Sequence, residues 1–577
     1  MDEADEQIEI EPEASQVNEQ INENVVPLDL SFQPIQNTTS FTLGSYTSTK
    51  KWSRFIPILK KNIFWKNVPF TPPIFTIQSD LNPPVLTNIL NPIDYFIKYF
   101  SNDDFENMAK YTNIYAAQNN LKNFKNTSTH EMKTMIAIHM LFGVLKYPRV
   151  RMYWEKNFRV PLIADNMTRN RLFELRSCFH VVDNKAIPKE NSDKFVKIRP
   201  LYNSFIKRCA QLPVDQNLSV DEQIVPFKGN LSIKQYIKGK PSPWGIKNFL
   251  LCGQSGLVYN LLLYQGSSTQ IDENMQKNFG LGGAIVLKLV ENLKPNKHFL
   301  FFDNFFSSYN LFCCLSKYKI FAAGTIRINR FNNPPFPKDK QLPKMGRGTS
   351  FEICSNHNIA LVKWFDNKAV QLGSNFISSG TPTIVQRFDR KKKSLVFIEC
   401  PEVVYLYNKS MGGVDKHDQL VSYYRTVIKS KKWTLRMLFH IFDMAVVNSW
   451  LEYKRDAINL KIPTKEMMDL IHFKQHLAES LIMIGSLSTP ISKRRGRPSS
   501  SDSINITPTR SPKNVDKRPL EEVRKDQYGH HPEYDDRKEA IRCKFEGCTG
   551  RTHVYCIKCG THLCFTKKSN CFRKFHQ

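Results

Sequence analysis

The chain has 577 residues and carries 82 Lys and Arg against 53 Asp and Glu, a formal net charge of +29. At 41% hydrophobic and 12% aromatic it is too apolar to be wholly disordered, and its apolar runs break before the roughly 18–20 residues a bilayer span needs, so no membrane is expected among its partners. A cationic surplus of this size suggests an extended polyanion as partner, of which nucleic acid is the commonest.

Residues 1–45 are expected to be a disordered acidic tail. Their first 24 positions hold nine acids and no Lys or Arg, without the basic-then-apolar pattern of a secretory signal, which suggests an intracellular setting. Pro57, Pro69, Pro72, Pro73, Pro83 and Pro84 make 46–90 an extended strap. Asn91-Pro92 opens a helical region at 91–215, an N-cap followed by Pro at the first helical position. Met132, Met135, Ile136, His139, Met140 and Gly143 recur at helical spacing behind Thr129, and another helix fits Thr168–His180. His139 and His180 read as packing or capping residues.

From Leu218 the period changes to two. Leu218–Val220, Phe249–Gly253 and Leu257–Gln265 read as strands, with a hairpin turn at Gly253–Gly256. A helix at Gly282–Leu293, the apolar strand His298–Phe302, a helix from Ser307 and a strand at Ile320–Thr325 complete a mixed α/β layer over 216–328. Pro, Gly and Asn turns around short strands mark 329–397 as an inserted β-rich module, after which the layer resumes at 398–424. Trp433, Met437, Leu438, Ile441, Phe442, Ala445 and Val446 stripe a helical segment at 425–485. A basic Ser/Pro linker at 486–540 and a cysteine-rich module at 541–577 follow.

Four carboxylates fall where elements begin or end. Asp221 closes the first strand, Asp303 follows the strand His298–Phe302, and Asp415 and Asp418 share one face of a helix opened by Gly412-Gly413. Helix capping is open as a role for Asp303 and Asp415, and a turn for Asp221. Brought together, such acids repel unless a hard divalent cation joins them, and two ions about 3.5–4 Å apart can serve both the attacking and the leaving oxygen of a phosphodiester.

At these residues the sequence resembles the piggyBac family of DNA transposases. The matching segments are Val220–Gly229, Phe302–Ser308 and Tyr407–Leu420, with support from Ser232–Pro241, Trp244–Lys247 and Asn448–Trp450. The resemblance implies an α/β RNase H-like catalytic core with a β-rich insertion and a surrounding α-helical dimerisation and DNA-binding domain. In this DDE/DDD-type core Asp221, Asp303 and Asp415 would be the catalytic acids, holding two Mg²⁺ (or Mn²⁺) ions, with Asp418 auxiliary. It also implies cut-and-paste chemistry on double-stranded DNA: nicking, hairpin closure of the transposon end, reopening and joining at TTAA. A nuclear homodimer or larger assembly is the expected form. The alternative is a domesticated DNA-binding or chromatin protein that keeps the scaffold without transposing.

Of 13 cysteines, six lie between Cys543 and Cys571, and the remaining seven are scattered as expected of reduced thiols. Cys543-x4-Cys548, Cys556-x2-Cys559, Cys564, Cys571 and His576 have the short paired spacing of tetrahedral Zn²⁺ ligands. Two zinc ions are expected, one on Cys543, Cys548, Cys564 and either His562 or His553, the other on Cys556, Cys559, Cys571 and His576. The family's C-terminal domain looks similar and there recognises transposon ends. Lys493, Arg494, Arg495 and Arg497 suit an A·T minor-groove hook or a nuclear import signal. Lys429, Lys431 and Lys432 beside Trp433 suit phosphates and an unpaired base, unless Trp433 anchors its helix to the core.

Overall fold

The computed structural model describes residues 52–66, 69–74, 88–239, 242–390, 392–486, 524–526 and 529–577. The acidic segment 1–45, parts of the strap, and the linker's basic run with Lys493, Arg494, Arg495 and Arg497 lie outside these. The chain divides into two compact units, Met1–Pro490 and Ile491–Gln577.

The first unit begins with the short strand β1 (Trp65–Lys66), then α1 (Pro92–Phe96), α2 (Asn102–Gln118), α3 (Thr129–Leu145), α4 (Pro161–Ala164), α5 (Arg169–Cys178) and α6 (Arg199–Cys209). Local chemistry starts these helices. Asn91 and Ser101 form capping boxes with Asp94 and Asp104, and Ser128 and Thr168 accept from the backbone N–H three residues on. The strands β2 (Asn217–Pro226), β3 (Gln235–Tyr236), β4 (Trp244–Gly253) and β5 (Val258–Leu263) follow, then α7 (Glu273–Leu289), β6 (Phe299–Phe302), α8 (Tyr309–Lys317) and β7 (Phe321–Thr325). After α9 (Leu342–Met345) come β8 (Ser350–Ser355), β9 (Ala360–Phe365), β10 (Ala369–Ser374) and the hairpin β11 (Thr383–Asp389) and β12 (Ser394–Cys400). The unit ends with α10 (Glu402–Ser410), α11 (Gly413–Tyr423), α12 (Trp433–Asn459) and α13 (Leu470–Ser486).

One sheet organises these elements, in the order β1-β8-β9-β10-β7-β6-β2-β4-β3 with β5 on the far side of β4. β2 pairs antiparallel with β4 and parallel with β6, and β6 runs parallel to β7. The Phe-Leu-Phe-Phe sequence of β6 suits a central parallel strand covered on both faces. α12 is buried on all sides along most of its 27 residues, as a helix inside a core must be. Among the described residues no helix is long and apolar enough to cross a membrane.

Two expectations change here. β2 runs on to Pro226, which leaves Asp221 inside the strand rather than at its end. The segment 329–397 is not a separate module. β10 pairs with β7 (Leu372↔Thr325), so β8, β9 and β10 prolong the core sheet, and only the β11–β12 hairpin stands off it. Alternation along a strand reports which faces are covered, not which strand its edge will meet.

The second unit has β13 (Pro532–Tyr534) paired with β16 (Val554–Cys556), β14 (Ile541–Arg542) with β15 (Arg551–Thr552), and a last helix, α14 (Cys571–His576). The ordered fold therefore begins before residue 541. Its core is small: Leu563, Phe572 and Phe575 pack among cysteines.

Candidate active site

Asp221 and Asp303 are placed by strand register. The last pair of the β2–β6 ladder is Val220↔Phe302, so each acid is the next residue after that pair, Asp221 still within β2 and Asp303 just beyond the end of β6. Asp303 does not cap a helix: α8 is capped by Ser308, whose side chain accepts from Leu311 N–H. Its carboxylate instead accepts from Phe305 N–H at 2.8 Å. Arg330 fixes the loop beyond by donating to the carbonyls of Asn304, Phe305 and Ser307 at 2.8, 3.0 and 3.1 Å. Burial first, and the Glu222 charge after it, hold the Asp303 carboxyl above the usual carboxylate range.

The third and fourth acids arrive on α11. Gly413 lets the helix touch the sheet, since a Cβ there would lie 2.4 Å from the Gly253 carbonyl oxygen and 2.5 Å from Ser219 Oγ. His417 Nδ1 donates to the Gly256 carbonyl at 2.9 Å, tying α11 to the β4–β5 turn. Asp418 accepts from Gln223 Nε2 at 2.6 Å. Gln223, buried on β2 two residues past Asp221, in turn accepts from His440 Nε2 of α12 at 2.9 Å and Asn248 Nδ2 of β4 at 3.3 Å. Burial pushes His440 well below its ordinary value, so its ring is a neutral donor. Asp415 lies in the first turn of α11 and is exposed, while Asp221, Asp303 and Asp418 are half-buried. Sequence reasoning missed Gln223, Asn248 and His440, and also Tyr407. Burial, and then the charges of Asp303 and Asp221, push the Tyr407 hydroxyl up to about 12. Carboxylates are the oxygen ligands that a hard divalent cation prefers, so these acids are the residues that could hold one.

The cationic candidates separate. Lys429 and Lys431 line a cleft of about 1170 Å³ with Lys228, Arg436, Pro243 and Trp244. Lys432 instead donates to the Ser177 carbonyl at 2.9 Å, and Trp433 is half-buried with its ring edge-on to Phe195 at 6.0 Å. His139 is fully buried, with Nδ1 on the Met135 carbonyl at 2.8 Å, a packing role.

In the second unit, two groups of four side chains each bring their ligand atoms within 4.8 Å of one another: Cys543, Cys548, Cys564 and Cys571, and His530, Cys556, Cys559 and His576. Cys548 and Cys564 sulfurs are 3.9 Å apart, close to the ~3.8 Å of a tetrahedron with bonds of about 2.3 Å. Burial, followed by the Cys543 sulfur, pushes the Cys564 thiol up to about 12, a shift a bound cation would reverse. The second group carries its own orienting bonds. His576 Nδ1 donates to the Phe572 carbonyl at 2.8 Å, which aims Nε2 at Cys559, and His530 Nε2 meets Asp526 at 3.0 Å, which aims Nδ1 at Cys556 and Cys559.

The expected pairing was wrong at two positions. Cys571 belongs with the other group because it stands five residues before His576 on α14, roughly 140° around the helix, so the two cannot face one metal. His530, rather than His562 or His553, completes the second group of four. Both of those are held by Asp535, at 2.6 Å from His562 Nε2 and 3.3 Å from His553 Nδ1.

A mixed sheet with acids directly after a paired position of its central parallel strands, and further acids on a helix crossing it, is an RNase H-like transposase fold. A family model described as Transposase IS4 matches residues 91–450, more than half the chain, which therefore belongs to the family of piggyBac-type transposases. PiggyBac transposable element-derived protein 3 of Homo sapiens is 31% identical over 375 residues, 64% of this chain and 62% of that protein. PiggyBac transposable element-derived protein 2 of Homo sapiens is 28% identical over 398 residues, 67% of this chain and 65% of that protein. The chain thus spans less than two thirds of either relative's length. A piggyBac transposase, solved by cryo-EM as a synaptic complex with hairpin DNA, shares the fold. The TM-score is 0.59 at 23% identity, covering 81% of this chain and 95% of that one.

Proposed function

We propose that this protein is a DNA transposase that excises a DNA segment through hairpin ends and joins it at TTAA sites, using Asp221, Asp303, Asp415 and Asp418. The observation that carries the reading is the placement of Asp221 and Asp303 directly after the last pair of adjacent parallel strands, with Asp418 held by Gln223 from the strand that carries Asp221. On this reading Asp221 and Asp303 would offer oxygens to the metal ions, as would Asp415 from the exposed first turn of α11. Asp418 is a positioned acid, fixed at one oxygen by Gln223. Two divalent cations, Mg²⁺ or Mn²⁺, would supply activation of the attacking oxygen and charge stabilisation of the leaving one. The Arg330 clamp keeps the Asp303 loop from moving as charge develops.

On this reading the two Cys/His groups each hold a zinc ion, and the module they shape reads the transposon end. The protein works in the nucleus as a homodimer or larger assembly on paired ends. A reporter plasmid in which the DNA flanking this gene brackets a marker tests the reading. Excision that leaves an intact TTAA supports it. Absence of excision with the wild-type chain, alongside normal DNA binding, would favour the domesticated alternative.

A further inference from the structure

The cleft lined by Lys429 and Lys431 contains an aromatic residue that the resemblance leaves without a role. Trp244, the first residue of β4, is 45% exposed, and its cross-strand partner Tyr236 is 56% exposed. Their rings meet at 4.9 Å and 54°, and Lys234 Nζ lies 4.8 Å over the indole. Large apolar rings left in solvent at the start of a strand cost hydration and gain no packing, so a ligand face is the economical account of them.

The cleft walls are cationic. Lys228 comes from the loop after β2, Lys429 and Lys431 from the loop before α12, and Arg436 from α12 itself. Arg436 spends one guanidinium nitrogen on the Ile428 carbonyl at 2.6 Å, while its Nε is buried without a hydrogen-bond partner. Arg425 beside it also has an unpartnered buried Nε, and burial together with the Arg425 charge holds Arg436 below its ordinary value. Asp443, the nearby acid, is already engaged by Lys474 at 2.7 Å and by Thr426 at 2.8 and 2.9 Å. Arg436, the one of the two that lines the cleft, adds its charge to those of Lys228, Lys429 and Lys431, and four cations around one opening suit an anion. The cleft begins at Pro226, five residues along β2 from Asp221, or roughly 17 Å at strand rise. That is a few nucleotides from a phosphate held at the acids.

We propose that this cleft binds an unpaired nucleotide of the DNA strand being processed, its base stacked on Trp244 and its phosphate held by Arg436, Lys431 and Lys228. The proposal rests on the transposase reading for the identity of the strand, but its site is defined independently of the catalytic acids. It assigns the stacking role to Trp244 in place of Trp433, whose ring is packed against Phe195. Stacking accepts any base, so the site selects unpaired over paired DNA rather than a sequence.

The test uses the full chain without Mg²⁺ and compares a duplex carrying a short single-stranded tail with a blunt duplex of equal length, at fixed salt. A 2-aminopurine in the tail reports stacking. Wild type should prefer the tailed duplex and quench the fluorophore. Trp244→Phe should keep both properties. Trp244→Leu, similar in apolar bulk but without a π-face, should reduce the preference about tenfold and leave the fluorophore bright at saturation. Lys431→Gln should weaken the tailed duplex more than the blunt one and flatten its salt dependence by about one charge, yet leave the fluorophore quenched at saturation. An undiminished ratio and quench in Trp244→Leu, or no preference in the wild type, overturns the proposal. Because no cleavage is read, a chain that is inert as a nuclease yet keeps the Trp244-dependent ratio sinks the transposase reading alone. A chain that cleaves but cannot tell tailed from blunt DNA sinks this one alone.

Discussion

Replacing Gly413 with Ala should damage catalysis through one methyl group. That carbon would sit 2.4 Å from the Gly253 carbonyl oxygen and 2.5 Å from Ser219 Oγ, against an ordinary contact distance of 3.4 Å or more. Backbone on β4 cannot yield cheaply, so α11 must withdraw by about 1 Å, a misplacement that can cost on the order of 10²-fold in rate. Asp415 and Asp418 would move with the helix, and the Gln223–Asp418 bond of 2.6 Å would lengthen beyond useful range. Overpacking of this kind also destabilises a fold by about 1–3 kcal/mol. The adjacent Gly412→Ala is the control, because nothing lies within 4 Å of a Cβ there and its φ of −73° suits any residue. Single-turnover nicking with Mg²⁺, read beside DNA affinity, separates the two: Gly413→Ala should be slow at wild-type affinity and Gly412→Ala close to wild type. Equal rates in the two variants would refute the claim that close seating of α11 sets the acids.

Asp303→Asn should abolish cleavage and yet match or exceed the wild-type melting temperature without divalent cations. The folded-state pKa of Asp303 is raised, so its ionisation opposes folding: stability falls as pH climbs from the ordinary carboxylate value through the raised one. A lower melting temperature for the variant at neutral pH would contradict this. Cys571→Ser and His530→Ala should each remove one zinc of two while leaving the other group's ion in place, as measured by metal analysis of the full chain. His562→Ala should keep both ions, and loss of one would restore the pairing expected from spacing. Gln223→Leu should unfold at lower urea, because it takes the partner from His440 Nε2 and Asn248 Nδ2 at about 1–3 kcal/mol for each buried group left unpaired. Unchanged stability would mean that those groups find other partners.

Local chemistry was legible in the sequence, and long-range pairing was not. Phe299–Phe302 followed by Asp303 announces a buried strand that ends on an acid, and the two glycines before Val414 announce the opening of a helix. Nothing in the neighbourhood of Gln223 announces that it will meet His440, 217 positions away, because a glutamine inside a strand is ordinary until its partners are known. Tyr407 escaped for the same reason. The cysteine spacing was enough to predict two tetrahedral groups but not their membership. His530 lay in what read as linker, and the angle between Cys571 and His576 became decisive only once both were on one helix. The strands β8, β9 and β10 were visible as strands, but their attachment to β7 depends on an edge that no local pattern marks.

The central claim is that the acids carried by β2, the end of β6 and α11 form one metal-dependent phosphodiester site. The most direct measurement incubates the purified full chain with Mg²⁺ and end-labelled DNA taken from the borders of its own gene, then resolves the products on a denaturing gel. Nicked strands followed by a species migrating as a covalent hairpin, both absent with EDTA-free, Mg²⁺-free buffer and with Asp221→Asn, Asp303→Asn or Asp415→Asn, are the predicted result. Cleavage that persists in any of these variants, or intact DNA under conditions where the wild-type chain binds it, would contradict the account.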